Sequence, residues 1–392
     1  MDRPLDGLVV VDLTQGTAGL YATMLMADAG ARVIAVEPPG GGLLRTGGSP
    51  LEGDPQVGSY VLRFGRHKQS VVLDLQDRHD REQLWHLIGT ADVLVESLLP
   101  DEREAFEFDA ARVAAANPWL IHTSISGFGR DDVLPSPNRA WPETGAAAEA
   151  FGGIMDLLGE ADCPPHRSAA GLADLYAGAM ALNGTLMALF QRARTGRGRR
   201  VDIAKADCMV SLNERSIFRY ALTGDAPWRG SPPSWAPFGA FRTVDGWVAI
   251  GVIGDAVWRK FCHAIEAPEL LTDERLATGI DRGRNGAELV SPVVNRWLRG
   301  RTSADAAAVL QERGVPAAPV SSAADVLESD HTAARAMLVD VEYPRAGTYR
   351  VVASPIKLSG SPLPAPGRAP ELGEHTDRVL QEFAPHSVAP GA

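Results

Sequence analysis

The chain has 392 residues, with 38 lysines and arginines against 49 aspartates and glutamates and a formal net charge of −11. That length is long for one domain and suits two or three, each able to bury a sizeable core. The acid excess comes without an acidic block or basic tract, which argues against nucleic acid and anionic membrane as partners and favours small-molecule chemistry.

Cys163, Cys208 and Cys262 are far apart with no CxxC, so neither a disulfide framework nor a zinc site is expected. All three read as buried small apolar residues. The start, MDRPLDGLVVVDL, carries acids where a signal peptide needs positive charge, and no window reaches the roughly eighteen apolar residues of a membrane span. A cytoplasmic protein is expected.

Taken in order, the first hundred residues alternate short β-branched runs with helical stretches. Strands are expected at Leu8 to Leu13, Arg32 to Glu37, Ser70 to Leu75 and Asp92 to Glu96, with helices through Ala18 to Ala29 and Arg81 to Ile88. Such alternation predicts a parallel sheet covered by helices. PWLIHTSIS, Pro118 to Ser126, reads as a further strand ending in the loop GFGRDD, and strand ends are where open α/β sheets place ligands.

A long helix follows from about Asp174 to Arg194, with Leu175, Ala179, Leu182, Leu186, Leu189 and Phe190 spaced to form one inward face. Asp174 stands at its start, where free backbone N–H groups and the helix dipole keep a carboxylate ionised. An ordinary capping aspartate and a nucleophile are both compatible with that position, and caps are far commoner.

Four prolines and two glycines in GDAPWRGSPPSWAP, residues 224–237, mark a linker after a large domain over 1–223. GAFRTVDGWVAIGV reads as a hairpin around Val244-Asp245-Gly246. Helices through Ala256 to Ala264, Pro292 to Leu298 and Ala304 to Arg313 complete a smaller α+β domain over 238–330. Strand character returns from Met337 to Leu358. A proline-rich connector near 361–370 then leads to a short helix, Glu374 to Phe383, so residues 331–392 form a separate closing segment.

Several local motifs have bland explanations. TQGTAG followed by Glu37 imitates a dinucleotide site, but Gly16 and Gly19 supply only GxxG, so NAD is not expected. Arg63, Arg66, His67 and Lys68 could bind phosphate or form a solvated charge run. The histidines show no HxH, HxxxH or HExxH spacing, which gives metal catalysis no support, and His122 reads as a core histidine. Glu143 and Glu149 are weak candidates for substrate contact, surface carboxylates being the simpler reading. There is no GxSxG elbow and no P-loop.

Ten phrases in order, LDGLVVVDLTQGTAGLYATMLMADAGARVIAVEPPG, SVVLDLQD, ADVLVES, SISGFG, GLADLYAG, TGRGRRVDI, FGAFRTVDGWVAI, RGVPAAPV, SPIKLSG and GEHTD, together resemble the family III CoA-transferases of the CaiB/BaiF type. That family includes formyl-CoA and carnitine CoA-transferases and α-methylacyl-CoA racemases. The resemblance implies a Rossmann-like large α/β domain with a parallel sheet, a smaller α+β domain and an interlaced dimer, with a heteromer as the alternative assembly.

By the same resemblance Asp174 is the nucleophile, forming an acyl-aspartyl anhydride and then an aspartyl-CoA thioester before an acceptor carboxylate takes the CoA. Coenzyme A, as acyl-CoA substrate, is implied near Thr17, Ala18, Leu73, Asp74, Leu75, Ser97, Leu98, Gly127, Phe128 and Gly129. Arg66 and Lys68 are implied at its phosphates, and Trp235, Phe238 and Gly239, in the loop from Pro233, over its acyl group. Neither metal nor NAD is implied.

The chain departs from many relatives at Ser97-Leu98, at Ala105 and in Gly65 to Ser70. Thr144 stands where the racemases carry a histidine, which favours transfer over racemisation. An epimerase or isomerase using Asp174 as base, and a non-catalytic member with weakened CoA binding, are the alternatives.

Overall fold

The structure, a computed structural model, describes residues 3–130, 133–169, 171–227, 229, 235–361 and 367–384. Among them the chain divides into two compact units, residues 1–229 with 333–392, and residues 230–332.

The first unit is built on a six-stranded sheet. Its strands are β1 (Val9–Leu13), β2 (Arg32–Glu37), β5 (Lys68–Val72), β6 (Val93–Glu96), β7 (Ile121–Ser126) and β8 (Arg199–Ala204), with a short antiparallel pair, β3 (Pro50–Leu51) and β4 (Asp54–Gly58), inserted before β5. The order is β5-β2-β1-β6-β7-β8 and every pairing is parallel. This is the doubly wound order, reversing direction between β1 and β6 and so leaving a crevice at their C-terminal ends.

Both sheet faces are covered, which is why β1, β2 and β6 read as near-continuous apolar runs. Alternate residues divide between two cores: Val10, Val33, Val93 and Val95 face one, and Val11, Ile34, Val36 and Leu94 the other. β8 has no such run. Its sequence RRVDIA is polar at the start and exposed at the edge, and only its pairing with β7 reveals a strand.

The first core holds two helices, Thr17–Asp28 and Leu172–Thr195. Two expectations for the second are corrected. Its buried residues include Ala173, Ala177, Ala181, Leu182, Thr185 and Ala188, whereas Leu186 and Phe190 are exposed. The cause is a close backbone approach, since a Cβ at Gly178 would lie 2.5 Å from the Ala18 carbonyl oxygen. Small side chains permit that contact, and the large ones turn away from it. This helix is also long and apolar enough to cross a membrane by length and composition, although its inner face packs within the unit.

The returning chain closes the β5 edge. His375 N donates to the Ser70 carbonyl at 3.0 Å, and the Thr376 hydroxyl accepts from Val72 N at 3.0 Å. Gly367 N donates to His67 Nε2 at 3.1 Å. A hairpin of β12 (Leu338–Tyr343) and β13 (Gly347–Val352) packs Val341 and Tyr343 against Val61 and Leu62.

The second unit carries an antiparallel sheet, ordered β11-β10-β9, of β9 (Phe238–Arg242), β10 (Trp247–Gly251) and β11 (Ala317–Pro319). The Thr243 hydroxyl donates to Asp245 Oδ1 at 2.8 Å and Thr243 N to the Gly246 carbonyl at 3.0 Å, fixing the hairpin turn. Helices Asp255–Ala264 and Ser303–Glu312 pack Trp258, Phe261 and Leu310 under this sheet. Cys208 and Cys262 are buried, but Cys163 is exposed, against expectation.

Candidate active site

Gly171 holds a left-handed conformation (φ 66°) as N-cap of the long helix, so the helix begins two residues earlier than its apolar pattern suggests. Asp174 therefore lies in the first turn and is not the cap. Its Oδ1 pairs with Lys205 Nζ at 2.9 Å, and the same ammonium pairs with Glu143 Oε1 at 2.9 Å.

Three separate elements supply these groups. Lys205 opens the helix Lys205–Leu212 straight after β8, and Glu143 lies just before the helix Gly145–Phe151. The Lys205 side chain is only 8% exposed, against 21% for Asp174 and 25% for Glu143. Burial opposes the lysine charge, but the Asp174 and Glu143 carboxylates outweigh it and raise the Lys205 pKa.

Glycines make room for both acids. A Cβ at Gly127 would lie 2.4 Å from Glu143 Cβ, and one at Gly145 would lie 2.8 Å from Asp174 Oδ2. Gly127 also accepts from Ala206 N at 2.9 Å, which ties the loop after β7 to the Lys205 helix.

This cluster adjoins the crevice between β1 and β6. One cleft is lined by Gln15, Gly16, Ala18, Gly19, Ser97, Leu99, Glu102, Ile125, Glu143 and Lys205. A second, of about 390 Å³, shares Gln15 and Glu102 with it and takes in Leu73, Asp74, Leu75 and Leu98. The first turn after β1 is fastened across the crevice by Gln15 N donating to the Ser97 hydroxyl at 3.0 Å.

Of the residues singled out from sequence, Ala18, Leu73, Asp74, Leu75, Ser97 and Leu98 line these clefts. Thr17 is the first residue of the adjoining helix. Gly127, Phe128 and Gly129 follow β7; the Phe128 ring meets Trp141 and Phe151 edge-on. Trp235, Phe238 and Gly239 belong to the other unit, where Trp235 packs over Gly279 and Phe238 pairs with Gly251. Pro233 of the expected covering loop lies outside the described residues.

Arg66 and Lys68 require correction. The Arg66 guanidinium is buried and forked onto Asp28, with Nε to Oδ1 at 2.9 Å and Nη2 to Oδ2 at 2.8 Å. Lys68 Nζ is buried 2.9 Å from Asp12 Oδ2 and 2.8 Å from the Thr23 hydroxyl. Both cations fold the domain, so neither is free for a nucleotide phosphate. Glu37, in the position that imitates a ribose ligand, is likewise engaged, with both oxygens held by Arg45 at 2.7 and 2.8 Å.

Glu149 is neither at the surface nor at the cleft: it is buried and accepts from Ser168 N and Oγ, each at 2.8 Å. Thr144 caps its helix by accepting from Ala147 N at 3.1 Å. Among the described residues no group of three His, Cys, Asp or Glu side chains could hold a metal. Lys205 went unnoticed in the sequence because AKAD gives a lone lysine no signature, and its partners are 31 and 62 residues away.

A family profile described as CoA-transferase family III matches residues 5–376. The chain belongs to CoA-transferase family III. It is 38% identical over 389 residues to the succinyl-CoA:mesaconate CoA-transferase of Haloarcula hispanica, with 96% of each chain covered. It is 34% identical over 387 residues to the acetyl-CoA:oxalate CoA-transferase of Acetobacter aceti, covering 97% of this chain and 96% of that one. The crystal structure of a CAIB/BAIF family protein from Brucella suis superposes with a TM-score of 0.84 at 32% identity, covering 98% of this chain and all of the other. The CoA-transferase sheet therefore carries an Asp174–Lys205–Glu143 cluster beside the crevice where its strand order reverses.

Proposed function

We propose that this CoA-transferase is cytoplasmic and homodimeric, and that it moves CoA from an acyl-CoA to a carboxylic acid with Asp174 as covalent nucleophile. The observation that carries the role of Asp174 is its placement: an acid in the first turn of a half-buried helix, one oxygen held by an ammonium and the other beside a glycine, next to a cleft at the strand ends. Acyl transfer by a carboxylate needs an ionised, oriented group at a partly dehydrated site.

Asp174 would attack the thioester carbonyl carbon, and the C–S bond would break with the electron pair leaving on sulfur. The charge passes from carboxylate to thiolate, and no proton moves. The thiolate then attacks the Asp174 carbonyl of the anhydride and releases the donor acid. Attack by the acceptor on the resulting aspartyl thioester and a second thiolate attack return CoA on the new acid and restore Asp174.

The second cleft, lined by Val36, Leu43, Leu73 and Leu98 beside polar Gln15 and Asp74, suits the adenosine end. The racemase alternative finds no base at Thr144, whose hydroxyl is occupied as a helix cap.

The test uses succinyl-CoA with mesaconate, the pair named for the Haloarcula relative. Incubation with succinyl-CoA and hydroxylamine should mark Asp174 in the peptide mass spectrum, and Asp174→Ala should remove turnover. Full activity in Asp174→Ala would overturn the reading. Wash-in of solvent deuterium at the α-carbon without acceptor-dependent exchange would favour the epimerase instead.

A further inference from the structure

We infer that Lys205 is a positioning residue for the transfer, pinning Oδ1 of Asp174 so that Oδ2 is the attacking oxygen, with Glu143 holding the ammonium in place while Asp174 is acylated. This rests on the CoA-transfer reading and deepens it.

Three observations carry the assignment. The ammonium lies 2.9 Å from Asp174 Oδ1 and 2.9 Å from Glu143 Oε1, so it bridges two acids from different elements. Asp174 Oδ2 occupies the space left by the missing side chain of Gly145, where a methyl carbon would stand 2.8 Å away. Lys205 and Glu143 both line the cleft at the strand ends, which puts the pair at the approach to Asp174.

The charge balance explains why two acids share one lysine. When Oδ2 forms its bond to the acyl carbon, Asp174 becomes neutral and the negative charge departs on the thiolate. A buried ammonium whose sole partner was Asp174 would then be left unpaired, at a large desolvation cost. Glu143 is not acylated, so Lys205 keeps a carboxylate partner at 2.9 Å and stays in place for the return attack. Oδ1 becomes the anhydride carbonyl oxygen, still beside the ammonium, where it develops negative charge as the returning thiolate adds. Burial lowers the Lys205 pKa, but the two carboxylates raise it on balance, which is consistent with this role.

The experiment measures kcat, KM and hydroxylamine trapping for the full-length enzyme with succinyl-CoA and mesaconate. Lys205→Met should lower kcat on the order of 100-fold, as loss of a preorganised charge does, with KM for succinyl-CoA within about threefold of the native value. Lys205→Cys alkylated with 2-bromoethylamine, which rebuilds an ammonium of similar reach, should recover turnover. Gly145→Ala alters no charge but crowds Oδ2, and should slow trapping at Asp174 while the thermal melt shows a folded protein.

Native kcat in Lys205→Met, or a loss confined to KM, would overturn the inference. If Lys205→Met does not fold, Gly145→Ala decides: unimpaired trapping there overturns it, and slowed trapping supports it. The two readings fail differently. An inactive native enzyme, or an active Asp174→Ala, sinks the CoA-transfer reading. A native enzyme that needs Asp174 and tolerates Lys205→Met sinks the role of Lys205 alone.

Discussion

Glu96, the last residue of β6, shows how a single carboxylate organises the ground beneath the crevice. It is fully buried, yet its Oε2 accepts from Leu98 N at 2.8 Å and its Oε1 from the Ser124 hydroxyl at 2.5 Å, with Arg103 at 3.4 Å. Burial alone would raise its pKa. The hydrogen bond from His122 and the charges of Arg130, His122 and Arg103 outweigh burial and hold it at about 2, against an ordinary 4.5. A depressed folded pKa gives stability that is present above the unfolded value and is lost as pH falls from about 4.5 toward 2. The shift corresponds to roughly 3 kcal/mol. Urea titrations of the native chain and Glu96→Gln across that window should show the native advantage shrinking on acidification; a gap independent of pH would contradict the assignment. His122, expected in the core, is there beside Glu96, but nothing in its local sequence announced that partner.

At the scale of elements, β1, β2 and β6 were legible because a strand buried on both faces reads as a near-continuous apolar run. β8 was not legible, since RRVDIA takes its stability from pairing with β7, which no local pattern encodes. The long helix gave the opposite lesson. Its large side chains suggested an inner face, but the contact at Gly178 selected the small ones. Gly178→Ala should therefore cost about 1–3 kcal/mol through overpacking against the Ala18 carbonyl. Gly89→Ala, at an exposed position of the helix Arg78–Thr90 with nothing within 4 Å of the new carbon, should gain about 0.5–1 kcal/mol. Urea denaturation of both variants measures the contrast. Equal effects would mean that the helices do not meet at Gly178.

At the scale of the molecule, the outward face of that long helix leaves Met187 72% and Phe190 68% exposed, and the helix Glu214–Thr223 exposes Phe218 and Leu222. So much apolar surface on one unit calls for a partner, and the homodimer is the occupant expected. Sedimentation should give a dimer for the native chain, and Met187→Glu with Phe190→Glu should shift it toward monomer; an unchanged dimer would place the interface elsewhere. The sequence by itself determined the parallel sheet, the second unit's hairpin and Asp174 as the acid worth watching, because each is written in short-range periodicity or in a phrase shared along the family. Only the tertiary structure decided that Arg66 and Lys68 are structural ion pairs, that small residues face inward along the long helix, and that Lys205 and Glu143 meet at Asp174. Those outcomes depend on which groups come within a few ångströms of one another across tens of residues of chain, and electrostatics and packing act on that separation, not on distance along the sequence.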